Sequence, residues 1–200
     1  MSAGGSGSPG ALGEAERRFL LDLARRAIGA RLSGRSPQAA SFGWQGPPGS
    51  PLSERRGAFV TLRRREDGEL RGCVGLVAPE QRLPETVAKA AVAAALSDGR
   101  FPPVEMFELP ELVLEISVLG PLHPIRPEEV VVGRDGLMLR FEGRQGLLLP
   151  QVAGEHGWDR ETFLEKVCWK AGVPSGSWRR PEAEILAFTA EVFGEDEKDG

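Results

Sequence analysis

The hexapeptide Leu70-Arg71-Gly72-Cys73-Val74-Gly75 has the character of a β-strand, yet it contains two glycines, an arginine and one of the two cysteines of the chain. Glycine weakens a strand interior, so two glycines three residues apart indicate a bulge or a close approach of another group to the backbone. The strand is predicted to run from Leu70 to Val77. An Asp67-Gly68 turn joins it to a strand from Ala58 to Leu62, which predicts an antiparallel hairpin.

Helices are predicted on both sides of this hairpin. Apolar residues recur at helical spacing from Glu14 to Leu32, and a Ser-, Gly- and Pro-rich loop from Gly34 to Pro51 follows. An alanine-rich helix opens at Pro84, with Gly99 as its left-handed C-terminal residue. Strict alternation makes Leu112 to Leu119 the clearest strand of the sequence.

The second half of the chain continues this mixed pattern. Strands are predicted at Val130 to Val132, Leu137 to Phe141 and Leu147 to Leu149. Asp159 is a suitable N-cap for a helix that runs to Ala171 and closes at Gly172. The segment Glu184 to Phe193 alternates like a strand, although its alanines and glutamates leave a helix open. The order of elements predicts an α+β fold with mainly antiparallel sheets and flanking helices.

Composition excludes several classes of protein. The formal net charge of −4 argues against nucleic acid as the main partner, because phosphate binding needs clustered positive charge. No apolar run approaches the roughly 20 residues of a membrane helix, and two unpatterned cysteines fit a reducing cytosol. We therefore expect a soluble, cytoplasmic protein with a flexible tail at residues 1–13, one domain at 14–194 and a charged tail at 195–200.

Cys73 is the first candidate for chemistry. On a regular strand Arg71, Cys73 and the gap left by Gly75 share one face, with neighbouring side chains roughly 6–7 Å apart. The guanidinium would then favour the thiolate, and the glycine would leave room for a ligand. The alternative is that Cys73 is a buried small hydrophobe. A thiol nucleophile also needs a base, and neither His123 nor His156 has a spacing that identifies it as one.

Three other residues have two interpretations each. Arg100 either recognises a carboxylate or phosphate, or forms a local pair with Asp98 that fixes a loop. Glu115 either lies on a solvated sheet face or is buried against a cation such as Arg71. His156 either does acid–base work or binds metal, or it is exposed and idle. Since the chain has no Cys-x-x-Cys or His-x-x-x-His spacing, no metal site is predicted. Cys168 lies on the apolar stripe of its helix and is predicted to be core.

A family resemblance appears at these residues. The hexapeptide is similar to the Leu-Arg-Gly-Cys-Ile-Gly signature of the AMMECR-type domain family. The resemblance continues through further motifs up to Phe193: Ser97-Asp98-Gly99-Arg100-Phe101-Pro102-Pro103, Glu115-Ile116-Ser117-Val118-Leu119, Gly146-Leu147-Leu148-Leu149-Pro150-Gln151-Val152-Ala153, Gly157-Trp158-Asp159, Phe163-Leu164 and Lys170-Ala171-Gly172. It implies two unequal lobes with a groove between them and the hexapeptide near that groove. It supplies no reaction and no cofactor, but it implies an association with Memo-like and radical-SAM proteins.

Two functions remain open from the sequence. The first is a module that binds a small ligand or a protein partner in the groove, through candidate residues named above: Gly72, Gly75, Asp98, Arg100, Glu115 and His156. The second is an enzyme that uses Cys73 as nucleophile or redox thiol, with Arg71 activating it. We favour the binding module, because no base for the thiol can be identified.

Overall fold

The computed structural model describes residues 10–36, 49–77 and 81–195. In chain order, these residues form α1 (Glu14–Leu32), β1 (Ala58–Arg64), β2 (Leu70–Leu76), α2 (Leu83–Leu96), β3 (Leu112–Leu119), β4 (His123–Pro124), β5 (Gly136–Phe141), β6 (Arg144–Leu148), α3 (Pro150–Glu155), α4 (Arg160–Ala171), β7 (Glu184–Phe188) and β8 (Ala190–Gly194). The strands form two four-stranded sheets, which confirms the α+β class. Residues 37–48 of the predicted loop, and most of both predicted tails, lie outside the described residues.

The chain divides into two units, and the first comprises residues 1–119 and 191–200. Its sheet has the strand order β2-β1-β3-β8, with β1 antiparallel to both β2 and β3. α1 and α2 pack on one face of this sheet. Side chains three and four apart on the helices meet the alternate side chains of the strands in one apolar core, which includes Leu20, Leu23, Ile28, Val60, Leu62, Val87, Ala91, Leu114, Ile116 and Val118. The predicted hairpin and the strand Leu112–Leu119 are confirmed.

The second unit comprises residues 120–190. Its sheet has the order β4-β7-β5-β6, and α4 packs on β5 and β6. α4 begins and ends as predicted. The carboxylate of Asp159 accepts a hydrogen bond from the N–H of Thr162 at 2.7 Å, and Gly172 adopts a left-handed conformation with φ of 69°.

The prediction for the end of α2 was wrong. The helix ends at Leu96 with Ser97 as its C-cap, and Gly99 is not among the residues with positive φ. The carboxylate of Asp98 accepts a hydrogen bond from the N–H of Arg100 at 3.2 Å, and the carbonyl of Asp98 accepts one from Phe101 at 3.1 Å. This local turn redirects the chain without a left-handed glycine.

A strand at Val130 to Val132 was also wrongly predicted. The segment forms a turn in which the N–H of Val131 donates to the carboxylate of Asp135 at 2.8 Å. The N–H of Asp135 in turn donates to the carbonyl of Val131 at 3.0 Å. The buried Asp135 side chain thus accepts the N–H of Val131, a backbone group that would be paired with a neighbouring strand if this segment were part of a sheet.

The segment Glu184 to Phe193, left open between strand and helix, forms two strands. β7 belongs to the sheet of the second unit and β8 to that of the first. The break lies at Thr189, whose carbonyl accepts a hydrogen bond from Gly120 at 2.8 Å. The short helix α3 was not predicted. Within the described ranges, no helix combines the length and apolar composition of a membrane span.

Candidate functional site

The hexapeptide forms β2, which is an edge strand of the first unit's sheet. Register with β1 pairs Thr61 with Cys73 and Leu62 with Gly72, and the next pair is Arg63 with Leu70. Arg71 is therefore the extra residue of a β-bulge. A bulge bends its strand and re-aims the side chain that it carries. The bulge predicted from the two glycines is present, at Arg71.

Arg71 is 4 % exposed and points toward the segment between α2 and β3. Its Nε donates to Glu108 Oε1 at 2.9 Å and its Nη2 donates to Glu108 Oε2 at 3.0 Å. The carbonyls of Pro102 and Pro103 accept further hydrogen bonds from the guanidinium at 2.9 and 3.3 Å. The hydrogen bonds from Arg71 hold the pKa of Glu108 below its usual value. The carboxylate partner of Arg71 is thus Glu108, and Arg71 anchors a loop.

Both glycines of the hexapeptide lie against other groups. A Cβ on Gly72 would stand less than 3.0 Å from the backbone oxygen of Ala94 in α2, so only glycine lets the helix pack this closely on β2. At Gly75 the aromatic ring of Phe59, the direct partner in β1, occupies the position that a side chain would take. The space expected at Gly75 for a ligand is therefore filled by Phe59.

Cys73 is half-buried, and its sulfur is hydrogen-bonded to a residue that the sequence did not single out. The hydroxyl of Thr61, which is 8 % exposed, donates to Cys73 Sγ at 3.4 Å. Glu115 in β3 is the next residue across, since it pairs directly with Thr61. Cys73, Thr61 and Glu115 thus form one cross-strand row on the sheet face opposite the helices, which we call the Cys73 row.

Thr61 could not be identified by counting from the turn. A two-residue turn at Asp67-Gly68 would pair Cys73 with Leu62, a core residue of β1. The actual connection is longer, with Arg64 hydrogen-bonded to Glu69, and by itself would pair Cys73 with Val60. The bulge moves the register back by one residue, so the net shift is one residue. A shift of one residue exchanges the two faces of a strand, so Cys73 meets Thr61 instead.

The side chains of Asp98 and Arg100 both form hydrogen bonds with the backbone of Cys73. The N–H of Cys73 donates to Asp98 Oδ2 at 2.9 Å, and its carbonyl accepts a hydrogen bond from Arg100 Nη2 at 3.4 Å. Arg100 also pairs with Asp98 through Nε at 2.9 Å and Nη2 at 2.6 Å. The local pair that the sequence suggested is therefore present, and it contacts the outward edge of β2. We call these two residues the Asp98–Arg100 clamp.

The clamp has an electrostatic consequence. The hydrogen bond from Arg100 holds the pKa of Asp98 far below its ordinary value, and the same bond raises the pKa of Arg100. The Asp98 side chain is buried, whereas Arg100 is half exposed and lies over the ring of Phe101 at 5.4 Å. Both charges of the clamp therefore persist throughout the physiological pH range.

His156 lies in the second unit, at the C-terminal end of α3. It is exposed, and its ring stacks on Trp158 with centroids 4.8 Å apart. His123, in β4, belongs to the same unit, so the first unit supplies no imidazole to Cys73 from within itself. Cys168 is buried in α4 as predicted, and burial raises the pKa of its thiol. In the part of the chain that the structure describes, no group of three or more His, Cys, Asp or Glu residues is arranged to hold a metal ion.

Comparison with known proteins finds relatives that are similar to this chain over most of its length. An archaeal protein of Methanopyrus kandleri is 44 % identical over 194 residues, which cover 92 % of this chain and 91 % of the relative. A protein of Thermococcus gammatolerans is 45 % identical over 187 residues, with 89 % of both chains covered. The crystal structure of an uncharacterised protein from Pyrococcus horikoshii matches with a TM-score of 0.77 and 43 % identity, covering 89 % of this chain and 90 % of that one.

These relatives carry no name that states an activity, and the groove that the resemblance implied stays a prediction. The family assignment rests on the whole length of the fold. The model of the AMMECR1 family matches residues 21–193, from the first helix of the core to the last strand of its sheet. The chain belongs to the AMMECR1 family.

Proposed function

We propose that this chain is a binding module that takes up a small ligand or a protein segment at the Cys73 row, with Cys73 as a recognition group. The observation that carries the proposal is the Asp98–Arg100 clamp. It fixes both backbone groups of Cys73 on the open edge of the sheet, and Cys73 itself is half-buried. A site that is rigid before binding loses little conformational entropy when the ligand arrives.

The charges near Cys73 support binding over nucleophilic catalysis. A reactive cysteine needs a cation that stabilises the thiolate, or a base that removes the proton. Arg71 is engaged by Glu108, and Arg100 by Asp98. Each guanidinium is therefore already neutralised by a carboxylate.

The Cys73 row also indicates what kind of ligand fits. It offers a sulfur, a hydroxyl and a carboxylate at the spacing of neighbouring strands. The carboxylate of Glu115 can only accept hydrogen bonds when ionised, and the hydroxyl of Thr61, which donates its proton to Cys73, can accept one. A ligand with hydrogen-bond donors, such as an amide or an amine, matches this set.

Native mass spectrometry of the freshly purified chain tests this proposal. We expect an additional mass that is lost on denaturation and is lost in Thr61→Val, which keeps the shape of the side chain but removes its hydroxyl. Glu182→Gln, an exposed residue of the second unit, is the control and should retain the mass. Binding at this row is contradicted if the native chain carries no additional mass. It is also contradicted if the additional mass is still present in Thr61→Val.

An enzyme that uses Cys73 is the second candidate, because the hydroxyl of Thr61 donates to the sulfur and would stabilise a thiolate. Alkylation by iodoacetamide at neutral pH separates the two candidates. A binding module requires that Cys73 react no faster in the folded chain than in the denatured chain. A rate at least tenfold higher in the folded chain, and lost in Thr61→Val, would favour the enzyme. Cys168 is buried and serves as the unreactive internal reference.

A further inference from the structure

Two large apolar side chains stand next to each other on the surface of the first unit. Met106 is 47 % exposed and Phe107 is 74 % exposed. Both lie in the segment between α2 and β3, and we call them the ridge. Adjacent exposed apolar side chains with a polar surround are typical of an interaction surface.

The ridge is held in place by the framework. Arg71 binds the carbonyls of Pro102 and Pro103 on one side of it and the carboxylate of Glu108 on the other. The same carboxylate accepts the N–H of Glu105 at 2.7 Å. Arg25 donates to the carbonyl of Leu109 at 2.7 Å. These hydrogen bonds fix the loop backbone on both sides of Phe107, and its side chain is held in an exposed position.

Each residue of the ridge borders a cavity. Met106 borders one of about 440 Å³, with Gly29, Ala30 and two arginines, Arg26 and Arg35, in its lining. Phe107 borders a smaller cavity of about 230 Å³, whose lining includes Arg64 and three glutamates, Glu66, Glu108 and Glu111. The larger volume lies in the range of pockets that hold small molecules, so it admits a phenyl ring.

The two cavities carry opposite charge. In the described lining of the first cavity Arg26 is paired with Asp22, and Arg35 adds a positive charge. In the second, Glu108 is paired with Arg71, and Glu66 and Glu111 outnumber Arg64. An anionic lipid surface would be repelled by the second cavity, and a nucleic acid likewise. A protein that fits both must present a basic group and an acidic group on either side of an apolar anchor.

We propose that the occupant is a second copy of this chain, docked about a two-fold axis at the ridge. Such an interface uses the same patch on both copies, so the patch must contain both a projection and a cavity for it. Phe107 of each copy enters the cavity beside Met106 of the other. Arg35 of each copy then faces Glu111 of the other, which joins the basic cavity to the acidic one. Aromatic and arginine side chains are the residues that dominate such interfaces.

Sedimentation velocity between about 1 and 500 μM tests the proposal, since this range spans micromolar dissociation constants. We expect a reversible dimer whose dissociation constant rises at least tenfold in Phe107→Ser. Trp169→Ser is the matched control, because Trp169 is 78 % exposed but lies in the second unit. It should leave the dissociation constant unchanged.

Two charge-reversing variants test whether Arg35 of one copy faces Glu111 of the other. Arg35→Glu places carboxylates against carboxylates in its own dimer, and Glu111→Arg places guanidiniums against guanidiniums, so each variant alone should be monomeric. An equimolar mixture of the two should form a dimer again, because every pair is then opposite in charge. This recovery also shows that both variants are folded.

Three results on the oligomeric state would overturn the proposal. They are a chain that stays monomeric over the whole range, a dimer that is insensitive to Phe107→Ser, and a mixture of the charge variants that stays monomeric. Binding of a monomeric chain to anionic vesicles through Phe107 would assign the ridge to a lipid surface and overturn it as well. The proposal is independent of whether Cys73 binds a ligand.

Discussion

At the scale of the residue, the hexapeptide shows why the contacts of Arg71 could not be predicted from the residues around it in the sequence. Arg71 was expected beside the thiol, because regular alternation places residues 71 and 73 on one face. The bulge moves it away, and its partner Glu108 is 37 residues further along the chain. No local pattern encodes a contact at that separation. The Asp98–Arg100 pair is predictable because its members are two residues apart.

The clamp leads to a prediction for a single amide. In Asp98→Ala the N–H of Cys73 loses a charged hydrogen-bond acceptor, so its hydrogen exchange should accelerate about tenfold or more. Exchange measured by NMR at the Cys73 amide checks this. In Arg100→Ala the acceptor remains, so protection should largely persist. Equal exchange in Asp98→Ala and the native chain would contradict the clamp.

Gly72 leads to a prediction for stability. In Gly72→Ala the new methyl group meets the backbone oxygen of Ala94, so α2 or β2 must shift. Overpacking of this kind costs about 1–3 kcal/mol of unfolding free energy. Gly99→Ala is the control, because nothing lies within 4 Å of its Cβ position. Urea unfolding should show the loss at Gly72 and no comparable loss at Gly99.

At the scale of the element, strand glycines allow close packing in both units in the same two ways. In each unit a strand glycine lies under a helix backbone, Gly72 under α2 and Gly146 under α4. In each unit a phenylalanine ring also covers a glycine that it pairs with, Phe59 over Gly75 and Phe188 over Gly136. Helices and alternating strands were predicted because their apolar periods are local. Val130 to Val132 was predicted wrongly because the Asp135 side chain, not periodicity, decides its conformation.

Glu165 in α4 leads to a prediction for pH dependence. Burial of the Glu165 carboxyl opposes ionisation, but hydrogen bonds from Ser175, Gly176, Trp178 and Arg179 outweigh it and lower the pKa to about 2. A depressed pKa stabilises the fold above the unfolded value of about 4.5. That contribution should be lost as the pH falls from about 4.5 to about 2.

Glu165→Gln isolates this contribution. The variant should be less stable at neutral pH by about 1–3 kcal/mol, because the hydrogen bonds to a charged acceptor weaken. Its deficit relative to the native chain should shrink as the pH falls through that window, since the native carboxyl becomes protonated. Denaturant unfolding of both chains at several pH values measures the difference. A deficit that stays constant would contradict this account, and Glu182→Gln is the exposed control.

At the scale of the whole molecule, the first unit joins distant parts of the sequence. Arg25 in α1 pairs with Glu195 through two hydrogen bonds of 2.8 and 2.7 Å, across 170 residues. The Glu195 carboxylate also accepts the N–H of Leu114 in β3 at 2.9 Å. The sequence predicted Glu195 as the start of a charged tail, because its neighbours are charged. A long-range pair of this kind leaves no local signal.

This pair leads to a prediction for cooperativity. Since both side chains are partly buried and the pair is bidentate, a double-mutant cycle of Arg25→Ala and Glu195→Ala should give a coupling energy of about 1–2 kcal/mol. The exposed pair of Arg18 and Glu14 should give less than about 0.5 kcal/mol. Thermal or urea unfolding measures both cycles. Similar coupling energies for the two pairs would contradict this ranking.

The position of the clamp on an edge strand has one more consequence. Unpaired N–H and C=O groups along the rim of a sheet can template the strand of another molecule, which is how many folded proteins begin to aggregate. At Cys73 both groups are occupied by charged side chains, so an incoming strand cannot pair there. The same two residues that present the thiol therefore also protect the hexapeptide from forming intermolecular β-structure.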